Sequence, residues 1–260
     1  MKLHATAHLA FHANAEVPAI FMLKPRSGQG QWVTSEEYEL DPEIRMIEYT
    51  DGFGNLCQRA TIPFGPFSIT ASCVVDSPDE IDVDPTAEFV PIALIPDPLL
   101  QFLLPSRYCQ ADFLGNLATS ITGHLTPGYQ QVEAIRAWIR REVRYEYGTS
   151  NASTSALETA NDKVGVCRDL AHLGIALCRA INIPARMVVG YLHELKPMDL
   201  HAWFEAYVGQ RWYVFDATQE HPMGNRITIA YGRDAADVAL ITQFGPMDLL
   251  DMWVNVEPAP

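Results

Sequence analysis

Cys167 stands at the head of a run to Ile181 in which Leu170, Leu173, Leu177 and Ile181 recur at helical spacing. A helix start leaves backbone N–H groups unpaired and carries the positive end of the macrodipole, and both favour a thiolate. The segment Gly165-Val166-Cys167-Arg168-Asp169 therefore makes Cys167 a candidate nucleophile, to be weighed against an inert buried thiol. A thiol needs a base, and the base needs a group to orient it.

Both are supplied by a hairpin pattern. His201 to Val208 and Arg211 to Thr218 flank Gly209 and Gln210, a two-residue turn read as type II′ with glycine first. Val208 then faces Arg211, His201 faces Thr218, and Trp203 faces Asp216. Asp216 projects on the side of His201 as its diagonal neighbour, about 7 Å away between backbones, within reach of an imidazole and a carboxylate. Singly, these read as a core histidine and a turn-side aspartate. Together, neutral His201 would take the thiol proton and Asp216 would hold the ring tautomer.

Cys167 with Arg168, Asp169, Ala171 and His172, then Ile183, Pro184, Ala185, Arg186, Gly190 and Tyr191, then His201, Ala202 and Trp203, then Trp212, Asp216, Ala217 and Thr218 closely resemble the core of the transglutaminase-like superfamily. The order Cys, His, Asp agrees as well. The resemblance implies a papain-like arrangement, with the cysteine at a helix start packed on an antiparallel sheet bearing the other two. It also implies acyl transfer from a peptide or protein amide through a thioester resolved by water or an amine, with hydrolysis favoured over crosslinking. No cofactor is implied. Residues before the core, including the turn Asp51-Gly52-Phe53-Gly54-Asn55, resemble the N-terminal β domain of bacterial members, and Tyr231, Gly232, Arg233, Asp234, Asp237 and Val238 resemble a segment near the end of such chains. A second oxyanion donor beside the Cys167 N–H could come from Trp138, Tyr145 or Tyr147, and the sequence does not choose. The competing reading is a non-catalytic protein-binding module that keeps the fold and meets a cationic partner through its acidic surface.

The elements around these residues give an α+β fold: an N-terminal β-sandwich-like domain, then a papain-like, transglutaminase-like catalytic domain. Lys2 to His12 alternates, as do Leu56 to Ile62 and Ser68 to Val75. Asp76, Pro78, Asp79, Glu80, Asp82, Asp84, Pro85 and Glu88 form an acidic, proline-bearing run read as a solvated linker, lacking the glycine and final glutamate of an EF-hand loop. The division expected is 1–80 for the β domain, 81–108 for the linker and 109–260 for the catalytic domain. Beyond it the period turns helical at Phe113 to Ile121 and Val132 to Val143, and Ser155 with Glu158 forms a capping box.

Other chemistries fit less well. His4, His8 and His12 lie four apart along a strand, about 13 Å between neighbours, too far to share an ion. Cys167, His172, Cys178 and His201 match no compact zinc spacing. Cys178 lies about 16 Å down the helix from Cys167 and reads as core. The formal charge of −14, from 18 basic and 32 acidic residues, argues against nucleic acid and anionic lipid. The most apolar segment, Phe89 to Leu104, is broken by prolines, so no membrane helix is expected. Five cysteines and no apolar leader after Met1 fit reduced thiols in the cytoplasm.

Overall fold

The computed structural model describes residues 1–28, 30–221 and 223–259. Six strands come first: β1 (Lys2–Ala13), β2 (Val17–Phe21), β3 (Trp32–Asp41), β4 (Ile47–Thr50), β5 (Leu56–Ile62) and β6 (Gly65–Asp76). Helices follow, α1 (Gly115–Thr122), α2 (Tyr129–Glu142), α3 (Ala156–Asp162) and α4 (Cys167–Ala180), with short strands β7 (Arg144–Tyr145) and β8 (Val164–Gly165) between them. The chain ends in β9 (Ala185–Leu192), β10 (His201–Val208), β11 (Arg211–Phe215), β12 (Arg226–Gly232), β13 (Ile241–Gln243) and β14 (Met247–Pro258).

The alternation of β1 works as its sequence requires. Leu3, Ala5, Ala7, Leu9 and Phe11 are buried, and the histidines take the other face. His8 bonds Thr70 at 2.9 Å and stacks on Trp253, His4 approaches Glu257, and His12 meets the Phe64 ring edge. Among the described residues no group of three or more His, Cys, Asp or Glu side chains is placed to hold a metal. No described helix is long and apolar enough to cross a membrane.

Two four-stranded sheets make the N-terminal unit, ordered β14-β1-β6-β3 and β13-β2-β5-β4. Their end strands correct the expected division. β14 pairs along β1 from Leu3↔Pro258 to Ala13↔Met247, and β13 pairs with β2. Residues 241–258 thus complete the β unit, where the 109–260 range had assigned them to the catalytic part. A lone β1 edge would leave a row of unpaired backbone groups, and the returning chain covers it. Residues 81–108, expected as the linker, are also more than a solvated tether. Gly209 N–H donates to Glu88 O and Tyr129 N–H to Ala87 O, and Phe102 is buried against Trp212, edge to face at 5.4 Å.

The third sheet, β11-β10-β9-β12, is antiparallel and carries α4 on one face. α4 is buried on every side from Asp169 to Arg179, so it is an internal helix, not the one-striped helix that its leucines suggested. Gly174 lets it sit close: a Cβ there would lie 2.5 Å from the Phe204 ring of β10. Arg179, although buried, is satisfied by the carbonyls of Ala185, Leu104 and Arg233 and the Ser106 hydroxyl. Helix and sheet are thereby fixed in depth and in register.

Candidate active site

α4 begins at Cys167. Its first turn is held by the Asp169 carboxylate, which accepts the Val166 N–H at 3.0 Å, and Asp169 is itself paired with Arg168 at 3.1 Å. An acidic residue in the first turn complements the dipole and leaves the Cys167 end of the helix capped. Cys167 is half-buried, whereas Cys57, Cys73, Cys109 and Cys178 are buried. Burial pushes the thiols of Cys73 and Cys109 up to about 12 and raises those of Cys57 and Cys178.

The β10–β11 hairpin has the expected register, from Val208↔Arg211 to Phe204↔Phe215. Its turn differs. Gly209 has φ +56° and Gln210 φ +65°, so both central residues are left-handed and the turn is type I′, not II′. Both primed types match strand twist, which is why the register survived the difference. β11 also ends at Phe215 rather than Thr218, because Asp216 turns the chain: its Oδ1 accepts the Thr218 N–H at 3.0 Å and the Thr218 hydroxyl at 2.7 Å.

Asp216 Oδ2 then faces His201 Nε2 at 2.7 Å, both side chains being buried. With Nε2–H committed to the carboxylate, the other ring nitrogen is left for the Cys167 thiol, a hydrogen-bonding neighbour of the ring. Burial disfavours a charged imidazole, but the Asp216 charge and hydrogen bond, with Cys167, outweigh it and raise His201 to about 9. Burial likewise opposes ionisation of Asp216, and is overcome by the Arg226 guanidinium and by His201, which hold the carboxyl below its usual range. The structure thus brings together all three residues singled out from sequence.

Sequence reasoning missed Arg226. It stands on β12, and its Nη1 donates to Asp216 Oδ2 at 3.0 Å while Nε holds Met223 O at 2.8 Å. No local pattern marks it, because its partner lies across the sheet. Of the three aromatic candidates for the oxyanion, Tyr145 is a neighbour of Cys167: it pairs with Gly165 across β7 and β8, and its ring meets Tyr147 edge to face. Trp138 instead lies under Lys163, 4.0 Å from ring centroid to Nζ. His172 stays out of the site: it is buried, stacked on Tyr108, and accepts the Ala235 N–H at Nε2. Desolvation holds it down to about 3.

Cys167 and His201 open onto a cavity of about 350 Å³ whose other walls include Met187, Val189, Leu200 and Val238. Its lining is largely apolar, with Arg168 as a charged exception.

Comparison with known proteins agrees with this architecture. The model described as Transglutaminase-like superfamily matches residues 115–217, and that of the Bacterial transglutaminase-like N-terminal region matches residues 10–76. A solved structure from Cytophaga hutchinsonii, provisionally named a cysteine protease, is 37% identical, with a TM-score of 0.93 over 99% of this chain and 90% of that one. An uncharacterized protein of Mycobacterium leprae is 29% identical over 84% of this chain and 82% of its own length. One of Mycobacterium tuberculosis is 27% identical over 91% and 85%.

Proposed function

This chain belongs to the transglutaminase-like superfamily, and on that footing we propose that it is a cysteine-dependent amide hydrolase working through Cys167, His201 and Asp216. The observation that carries the reading is the 2.7 Å contact from His201 Nε2 to Asp216, which leaves the ring's other nitrogen at the Cys167 thiol. His201 takes the thiol proton as sulfur attacks the amide carbonyl. The protonated ring returns that proton to the departing nitrogen as the C–N bond breaks, giving an amine and a thioester. Water, deprotonated by His201, opens the thioester to an acid and restores the thiol. Asp216 keeps the ring oriented and stabilises its charged form throughout.

The tetrahedral oxyanion requires donors aimed at it. The Cys167 N–H is one, and the hydroxyl of neighbouring Tyr145 is the second. The apolar cavity favours a peptide with a large aliphatic or aromatic side chain near the scissile bond. An acceptor amine in place of water would make the same thioester a transamidation intermediate. A cytoplasmic location is retained as part of this proposal.

The test is a library of peptides and isopeptides offered to the purified protein with and without added amine, in parallel with Cys167→Ala. Release of amine that depends on Cys167 supports the reading. A folded protein that turns over no amide, and whose Cys167 is no more reactive than a buried thiol, is instead a binding module on this fold.

A further inference from the structure

Alternation along β10 sends Phe204 toward α4 and turns Trp203 and Glu205 to the opposite face of the sheet. There they wall a cavity of about 640 Å³ that lies between this sheet and the N-terminal β unit, within the volume range of small-molecule sites. Polar contacts tie its two sides together at one edge. Gln31 Nε2 donates to Thr228 O and Gln31 Oε1 accepts the Thr228 N–H, both at 2.8 Å, and the Ser77 hydroxyl donates to Arg226 O.

The charged pair within this wall is satisfied by the protein itself. Arg186 pairs with Glu205 at 2.6 Å and lies against the rings of Trp212 and Tyr231. Two donors are left over. Trp203 Nε1 and Arg226 Nη2 have no hydrogen-bond partner among the described residues, although Trp203 is 1% and Arg226 7% exposed. They lie together, the guanidinium carbon 4.9 Å from the Trp203 ring centre, and both residues line the cavity. Buried donors are paired as a rule, so two of them on one cavity mark a place for an acceptor from outside the chain.

The surrounding charges select the acceptor. Arg226 is already matched by Asp216, Arg186 by Glu205 and Asp82 by Arg211, while Glu80 adds a further carboxylate to the lining. An anionic ligand would enter a surplus of negative charge, and a neutral carbonyl would not. Leu99, Ile81 and Trp212 offer apolar surface for the rest of the molecule.

We propose that this cavity is a second ligand site, distinct from the Cys167 site, for an uncharged small molecule whose amide carbonyl accepts from Trp203 Nε1 and Arg226 Nη2. Occupancy reaches the triad through Arg226. An acceptor on Nη2 draws on positive charge that otherwise serves Asp216, so the carboxylate holds protonated His201 more strongly. The site stands or falls independently of which amide Cys167 attacks.

The experiment titrates matched amide and acid probes, benzamide with benzoate and isobutyramide with isobutyrate, into isotope-labelled protein. The Trp203 indole N–H, identified among five tryptophans by Trp203→Phe, and the Arg226 Nε–H are followed by NMR. Amides are expected to move both resonances saturably, to bind at least about tenfold more tightly than their acids, and to raise the pH at which His201 titrates. Val214→Phe on the edge strand and Ile81→Phe from the linker each place a ring in the cavity. Either should weaken amide binding by about tenfold or more while methylthiolation of Cys167 keeps its rate. If no amide shifts the Trp203 indole up to its solubility limit, the cavity holds solvent alone and the proposal is overturned. It is also overturned if the acids bind as tightly as the amides, or if both cavity-filling variants, shown to be folded, bind amides like wild type.

Discussion

Arg226 donates to the same carboxylate oxygen of Asp216 that His201 uses, at 3.0 Å against 2.7 Å. A buried carboxylate between two cationic partners stays ionised, and its other oxygen is filled by Thr218. The orienting group is therefore held from three sides before any substrate arrives.

Removing the guanidinium tests that arrangement. Arg226→Met should cost roughly 3–5 kcal/mol, because it leaves Asp216 buried with one charged partner fewer. Arg226→Met with Asp216→Asn should recover much of the loss, since no carboxylate charge is then stranded. Denaturant midpoints with unchanged slopes are the measurement. A single variant that loses under about 1 kcal/mol would show the contact to be incidental.

The three site residues should rank by role. His201→Ala removes the proton carrier and should lower turnover about 10²–10⁴-fold. Asp216→Asn should lose less, because an amide oxygen can still accept from Nε2–H. Tyr145→Phe should lower kcat by about 10²–10³-fold with KM little changed, as loss of an oxyanion donor does. A Tyr145→Phe loss confined to KM would assign the hydroxyl to ground-state binding.

The His201–Asp216 pair also predicts a pH dependence of stability. His201 is raised from about 6.5 to about 9 on folding. Its contribution is then complete below about pH 6.5 and is lost as the pH rises through about 9. Asp216 is shifted the other way, so its contribution holds above the ordinary carboxylate range and fades only in strong acid. Unfolding free energies of wild type and His201→Gln, measured across neutral and alkaline pH, should converge above about pH 9. A gap that stays constant through that window would mean that the ring is not charged in the folded state.

Much of this site was legible because its parts are local. Cys167 precedes a helical stripe, and the hairpin fixes where His201 and Asp216 fall relative to each other. Even the wrong turn type cost nothing, because II′ and I′ loops of two residues leave the same pairing. What stayed hidden depended on contacts between distant segments. Arg226 meets Asp216 from another strand, and β14 meets β1 from the opposite end of the chain, from Leu3↔Pro258 at one limit to Ala13↔Met247 at the other. Periodicity marks a strand and its buried face, but not which edge it will complete. The burial of α4 was hidden for a similar reason: its small residues, Ala171, Gly174 and Ala176, look neutral in sequence until a sheet and three helices close around them.

The last prediction separates Cys167 from its four companions. Cys57, Cys73, Cys109 and Cys178 are buried, and burial raises every one of them. Even Cys109, near Arg107 in sequence, is closed off and donates to His172 O. Cys167 is half-buried, stands at a helix N-terminus and has the His201 ring to receive its proton. Brief iodoacetamide treatment at about pH 6 followed by mass spectrometry should therefore find Cys167 modified first, and His201→Ala should remove the preference. Cys167→Ala should leave the remaining thiols as slow as before, since its fold is kept by a good helix former. If Cys167 in folded wild-type protein reacts no faster than the other four, the thiol is not activated by His201 and the hydrolytic mechanism loses its nucleophile.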